Sequence, residues 1–250
     1  MVLRKQRIIL MAASSVDGKI TLPGAQKVKF STSRDLEILK DIRGRVDCLI
    51  RGGETIRKNG SPGLTSKYLQ NKRIENRKTR NPVNVVVTAS LNFDFSKIDF
   101  FKSKEIKRII FTIKKKNNKF LSEAKKYGEV IELEKNSNNL LDVDKIVKIL
   151  TNKFGFENML LEGGGELNFH FIEKNLVDEL YLTICPYLIG GDSKSFVGGV
   201  GFPADKMKIM KLEKISRITS NEILLIYKIQ KDKKIQSINK GNCWFIKNGK

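Results

Sequence analysis

The sequence predicts an α/β fold on a mixed, mostly parallel sheet with an antiparallel C-terminal edge, and three observations carry that expectation. The run Met159-Leu160-Leu161 stops at Glu162-Gly163-Gly164-Gly165 and resumes with helical spacing through Phe169, which reads as a strand, a tight turn and a helix. Residues 46–50 open in the same way onto Arg51-Gly52-Gly53-Glu54-Thr55-Ile56. Apolar runs over 210–215 and 222–230 then close the chain as two strands with one solvated face. Strands alternating with helices pack as a largely parallel sheet covered by helices.

In chain order, 7–13 reads as a buried strand, followed by a polar loop marked by Asp17-Gly18 and Pro23-Gly24. Ser31, Thr32 and Ser33 offer N-cap hydroxyls ahead of Leu36, Leu39 and Ile42, whose spacing predicts a helix ending near Arg43-Gly44. Residues 58–81 are polar, basic and broken by Gly60, Pro62 and Gly63, so they read as a long exposed connection with room for a short helix. Short β-branched runs over 83–88 and 108–112 predict buried strands, and 120–127 a crossover helix before a strand at Val130-Ile131. Val143, Ile146, Val147 and Leu150 share one face of a helix over 143–154. A helix over 167–175, a strand over 179–185 before Pro186 and a turn over 188–192 follow. The expected organisation is one domain over 1–230 and a basic C-terminal tail over 231–250 that carries Cys243-Trp244-Phe245-Ile246.

With 250 residues, 40% hydrophobic and 30% charged, the chain is long enough to bury a full core. No run approaches the roughly 20 apolar residues that cross a bilayer. The start leads into a strand rather than a signal sequence, so a cytoplasmic protein without a membrane partner is expected. Cys48, Cys185 and Cys243 are odd in number and far apart, and His170 is the one histidine, which argues against a disulfide framework and a metal site. A net charge of +21 attracts phosphates and polyanions. The surplus is spread along the chain as Lys among Asn and Ile, and the dense patches at 67–80 and 102–119 carry few aromatics to stack bases. A basic surface around a site for phosphorylated small molecules is therefore expected, not a nucleic-acid partner.

Glycines at a strand-to-helix junction let backbone N–H groups approach an anion, and the helix start adds the positive end of its dipole. A nucleotide phosphate is the natural guest. From three glycines alone, a turn that needs positive φ and binds nothing remains the alternative.

Eight pieces stand in one order: Ser15-Val16-Asp17-Gly18-Lys19; Ser31, Asp35 and Ile42-Arg43; Gly52-Gly53-Glu54-Thr55; Asn81-Pro82-Val83; Leu160-Leu161-Glu162-Gly163-Gly164-Gly165 with Leu167-Asn168; Asp178-Glu179; Pro186; and Gly190-Gly191. Over about residues 7–230 that order resembles the reductase family of riboflavin biosynthesis, found as the C-terminal half of bacterial deaminase-reductases and as free-standing enzymes. The resemblance implies a dihydrofolate-reductase-like three-layer fold, a homodimer, and NADPH-dependent reduction of a 5-amino-6-(5-phosphoribosylamino)uracil-type pyrimidine to its ribitylamino form. The family's zinc-binding deaminase half has no counterpart in the matching pieces. Because the hydride comes from the cofactor, the protein's task is to bind, orient and exclude water. That suits a chain without a Ser/His/Asp or Cys/His constellation.

By the same resemblance, Gly52, Gly53 and Thr55 together with Glu162, Gly163, Gly164, Gly165, Leu167 and Asn168 hold the cofactor's phosphates and nicotinamide side. Thr88, Ala89, Ser90 and Thr112 face its adenosine end, with Ser90, Lys114 and Lys115 as partners for the 2′-phosphate. Asp17 and Lys19 are the implied catalytic pair on the substrate side, and Ser31, Arg43, Asn59 and Ser61 the implied substrate-binding residues. His170 reads as a packing or surface residue. One departure stands out: where the family runs through a pair of acids, a Pro and Leu-Thr-x-Arg, this chain has Asn59-Gly60-Ser61-Pro62-Gly63-Leu64-Thr65-Ser66-Lys67. Exchanging an acid for Asn or Ser keeps hydrogen bonding and removes charge, which shifts substrate recognition before cofactor binding. It favours a second reading, an NADPH reductase of another heterocycle such as dihydrofolate or a pterin; a basic nucleotide- or nucleic-acid-binding protein without activity is the third, which loss of the turn glycines would favour.

Overall fold

The computed structural model describes residues 6–23, 32–136 and 139–231, and among these nine apolar runs become strands. They are β1 (Arg7–Ser15), β2 (Cys48–Gly52), β3 (Val83–Thr88), β4 (Arg108–Ile113), β5 (Glu129–Leu133), β6 (Asn158–Leu161), β7 (Glu179–Cys185), β8 (Met210–Arg217) and β9 (Ile223–Ile229). One sheet results, in the order β5-β4-β3-β2-β6-β1-β7-β9-β8. Every pairing from β5 to β7 is parallel, and β9 lies antiparallel to both β7 and β8. Ser31 and residues 232–250 lie outside the described residues, and with them all of the expected tail except Lys231.

Seven α-helices among the described residues connect and cover the strands: α1 (Ser33–Arg45), α2 (Gly53–Asn59), α3 (Lys67–Glu75), α4 (Asp99–Lys102), α5 (Leu121–Lys125), α6 (Val143–Asn152) and α7 (Gly165–Glu173). Side chains alternate across a strand, so the two sheet faces build separate cores. Ile8, Leu10, Ile50, Val85, Phe111 and Leu161 meet Ile146 and Leu150 of α6 and Phe171 and Ile172 of α7 on one face. On the other, Ile9, Met11, Leu49 and Leu160 meet Ile42 of α1, while Val86 and Ile110 meet Ile56 of α2 and Ala124 of α5. Helices on both faces make three layers. α6 shows why it forms: its apolar stripe recurs at i, i+3 and i+4, and the Asp142 carboxylate accepts from the N–H groups of Asp144 and Lys145.

Residues 58–81 carry the short helix expected of them, α3, and much of their length is exposed, but four polar side chains turn inward. Thr65, Gln70, Arg73 and Asn81 are buried. Arg73 donates to the carbonyls of Thr79, Gly44 and Val46, and Asn81 Oδ1 accepts from the Thr65 N–H. Polar side chains pair the backbone of an irregular segment so that it can be buried, and hydrophobic periodicity carries no trace of that. The helix expected over 120–127 shortens to the five residues of α5. Between β3 and β4, Phe93, Phe95, Phe100 and Phe101 form an aromatic cluster with ring centroids 4.6–5.7 Å apart.

Candidate cofactor and substrate cleft

β2 and β6 are neighbours in register, Ile50 beside Leu161, yet the helices that follow them leave in opposite directions, α2 to one face and α7 to the other. A crevice must open between two such turns at the carboxyl ends of the strands, and open parallel sheets bind ligands there. The cleft here has a volume of about 750 Å³, and both glycine turns line it. Of the sequence-predicted site residues, Gly52, Gly53, Thr55, Asn59, Gly163, Gly164, Gly165 and Leu167 form its walls.

None of the five turn glycines has a positive φ; Gly164 stands at φ −70°, ψ 165°. Their reason is space. A Cβ on Gly53 would run into Thr88 Oγ1, one on Gly165 into the Ser195 carbonyl, and one on Gly163 would lie 2.7 Å from Asn168 Oδ1. Gly52 and Gly164 differ, because their nearest neighbours would be 3.9 and 3.4 Å away. Packing within the protein leaves space for a Cβ at these two positions, and both line the cleft. Asn168, fully buried on α7, donates through Nδ2 to the Phe196 carbonyl at 2.7 Å, and its Oδ1 has no partner.

Below the turns lies a buried charge cluster. Arg43 grips Glu162 through two parallel hydrogen bonds of 2.7 and 2.6 Å, with both side chains less than 15% exposed. Burial pushes the Glu162 carboxyl up, but Arg43 and Arg51 outweigh it and hold it below the usual carboxylate range. Arg51 donates to the Ser61 carbonyl at 2.8 Å and to Asn84 Oδ1, and burial lowers its pKa to about 10. Arg43, Glu162 and Ser61 thus stand behind the wall of the cleft, where they brace the turn after β6 and the 61–65 segment.

The exit of β1 is zipped to the strap formed by residues 186–199. Asp17 accepts from the N–H groups of Ile189 and Gly190 at 3.2 and 2.7 Å and from Ser15 Oγ at 2.6 Å. The Ser15 hydroxyl and then the Gly190 N–H lower its pKa to about 2. Lys19 Nζ donates to the Gly191 carbonyl at 2.9 Å, and its backbone bridges Ser195. Farther along, Gly198 N donates to the Gly165 carbonyl, so the strap lies against the start of α7. Lys194 reaches across the cleft to both carboxylate oxygens of Glu54 at 3.1 Å, and Glu54 also pairs with Lys58 at 3.0 Å.

At the β3 side, Thr88 and Ala89 line the cleft, while Ser90 and Thr112 stand off its wall. The Ser90 carbonyl instead receives Arg57 and Thr88 Oγ1 at 2.9 and 2.6 Å. Sequence reasoning missed Arg57, Lys58 and Lys194 and read His170 as a packing or surface residue, yet all four line the cleft. For His170 and Arg57 a signal existed, since each falls on a helix that begins at a predicted glycine turn. Lys194 meets Glu54 across 140 residues of chain, and no local pattern records that.

Comparison with known proteins decides the family. The model of the RibD C-terminal domain matches residues 6–221. The chain belongs to the RibD C-terminal domain family. Among curated relatives, the 2,5-diamino-6-ribosylamino-4(3H)-pyrimidinone 5′-phosphate reductase of Aquifex aeolicus is 32% identical over 201 residues, covering 78% of this chain and 84% of the relative. The protein of the same name from Archaeoglobus fulgidus is 28% identical and covers 84% and 93%. Among solved structures, a pyrimidine reductase-like protein of Corynebacterium diphtheriae superposes with a TM-score of 0.78 at 24% identity, over 92% of this chain and 94% of that one. RibD of Acinetobacter baumannii gives 0.73 at 16% identity, and this chain spans 58% of its length. Both share the α/β fold with this RibD C-terminal domain.

Proposed function

We propose that this RibD-family chain is an oxidoreductase that reduces a ribosylaminopyrimidine 5′-phosphate to the ribitylamino form with NADPH, working as a homodimer. The observation that carries it is the pair of open glycines, Gly52 ahead of α2 and Gly164 ahead of α7, which both line the β2/β6 crevice. An extended diphosphate needs close approach of backbone and a helix dipole, and both are present there. The buried, unpartnered Oδ1 of Asn168 behind Gly163 adds an acceptor for a cofactor N–H. The residues present therefore fit a nicotinamide dinucleotide.

When bound, the nicotinamide supplies the hydride that reduces the sugar carbon. The protein's own contribution is placement. The α7 start and Gly164 hold the diphosphate, and Thr55 and Leu167 flank it. The strap excludes water, kept closed by the Asp17 carboxylate on the 189–190 turn and by Lys194 on Glu54. Asp17 and Lys19, at the exit of β1, stand at the end assigned to substrate, with the exposed Lys19 ammonium as contact for the 5′-phosphate. The names of the Aquifex and Archaeoglobus relatives specify a diaminopyrimidinone ring, whereas the sequence resemblance points to the aminouracil; the ribosylamino phosphate that reacts is common to both.

Turnover of purified protein with NADPH and each of the two pyrimidine phosphates, beside dihydrofolate, tests this reading. Oxidation of NADPH with a pyrimidine phosphate alone is expected. Lys19→Ala should then weaken that substrate by about 1–3 kcal/mol, the range for a charge-assisted hydrogen bond, and leave NADPH affinity unchanged. Reduction of dihydrofolate but of neither pyrimidine would refute it.

A further inference from the structure

We infer that Arg57 is the residue that reads the 2′-phosphate of the cofactor and so sets the preference for NADPH over NADH. The inference rests on the NADPH reading above and adds to it the residue that makes the discrimination. Arg57 lies on the outer face of α2, exposed at the rim of the cleft, and its guanidinium is already fixed in place. Nε donates to the Asn92 carbonyl at 3.0 Å, and Nη2 to the Ser90 carbonyl at 2.9 Å and to Thr88 Oγ1 at 3.4 Å. The plane sits over the Phe93 ring, 4.5 Å from its centroid. Three anchors and one ring leave little rotamer freedom to lose on binding, which is where an arginine gains over a lysine.

One end of the fork is unspent. Nη1 has no acceptor among the described residues, and it lies 3.4 Å from where a Cβ on Gly53 would stand, so it points over the first glycine turn. No carboxylate pairs with Arg57 there. The nearest acid is Glu54, whose two oxygens already hold Lys58 and Lys194. A pre-positioned guanidinium with carbonyl anchors, an open NH₂ and no counter-charge is built for an anion, and a phosphate monoester matches its geometry.

Three phosphate groups would enter this cleft, and position separates them. The diphosphate belongs at the start of α7, on the β6 side of the crevice. The substrate phosphate belongs at the strap beside Lys19, toward the wall nearest β1 that Ile20, Thr21 and Lys194 form. Arg57 is on the opposite side, at the exit of β3, held by residues 88–92. A dinucleotide whose diphosphate crosses the crevice leaves its adenosine ribose on this side, and the monoester of that ribose is the 2′-phosphate. Of the residues nominated from sequence, Lys114 fits less well, because its Nζ is paired with Glu134 at 3.1 Å, while the Ser90 hydroxyl accepts from the Asn92 N–H and keeps its own proton to donate to the same anion.

Calorimetric titration of NADPH, NADH and 2′,5′-ADP into wild type, Arg57→Ala and Arg57→Lys, with melting temperatures alongside, tests the assignment. Arg57→Ala should weaken NADPH and 2′,5′-ADP roughly 10- to 100-fold, the equivalent of one charged hydrogen-bond pair, and leave NADH within about threefold. Arg57→Lys, which keeps the charge and loses the fork, should fall between. Equal weakening of NADPH and NADH would overturn the inference in favour of a diphosphate contact or a structural role. So would an unchanged NADPH affinity with a raised KM for the pyrimidine phosphate, which would give Arg57 to the substrate. If Arg57→Ala does not fold, an unaltered NADPH-to-NADH ratio in Arg57→Lys overturns the inference by itself. A wild-type protein that binds neither dinucleotide overturns the NADPH reading and this assignment with it, whereas NADPH binding with an indifferent Arg57 leaves that reading standing.

Discussion

The glycines of the two turns are of two kinds, and the difference decides what each substitution does. At Gly53 the missing side chain makes room for the protein itself, since a Cβ would collide with Thr88 Oγ1. Gly53→Ala should therefore lower stability by about 1–3 kcal/mol, the usual cost of forcing an extra methyl into a filled site. Urea unfolding checks this, and a loss well below that range would mean that Thr88 turns away freely. Gly52 and Gly164 serve whatever enters the cleft. The same distinction separates Arg43 and Arg57: the first is consumed by Glu162 behind the wall, and the second keeps an open NH₂ on the rim.

At the scale of elements, the Arg43–Glu162 pair ties α1 to the turn after β6, with Arg51 of β2 beneath them. Removing one partner leaves a buried charge unpaired, so Glu162→Ala should cost about 3–5 kcal/mol in thermal or urea denaturation. The pH dependence has a definite sign. Glu162 has a folded pKa below its ordinary value, so its stabilisation is fully present above the ordinary carboxylate range and fades as pH falls through the folded value. Wild type should lose stability in acid more steeply than Glu162→Ala does.

All nine strands and the two glycine turns were legible in the sequence, because a β-branched run that stops at glycines is a local signal. Three features were not legible, for different physical reasons. The 61–75 segment is tied down at Gly63, Thr65 and Arg73 by hydrogen bonds between polar side chains, Asn81, Asn84 and Arg73, and backbone distant in the chain. The aromatic cluster around Phe100 has no regular period. Arg43 and Glu162 each carried a motif, and only the fold shows that they answer each other across 119 residues.

For the whole molecule, the sheet leaves β8 as an edge with Met210, Leu212 and Ile215 exposed, and among the described residues no helix covers it. Exposed apolar edges invite pairing. Light scattering at micromolar concentration should give the mass of a dimer, and Ile215→Lys should shift it to the monomer. A wild-type monomer would count against assembly through this edge. The central claim, however, is that the β2/β6 crevice holds the dinucleotide, and Gly164 tests it most directly. At φ −70° and with its nearest neighbour, Thr55 Oγ1, 3.4 Å from a Cβ, this position leaves space for a Cβ in the protein's own packing. Titrating NADPH into Gly164→Val, with the melting temperature measured beside wild type, should show a folded protein that no longer binds the cofactor. NADPH affinity unchanged in the folded variant would contradict the claim and leave the turn a purely structural one.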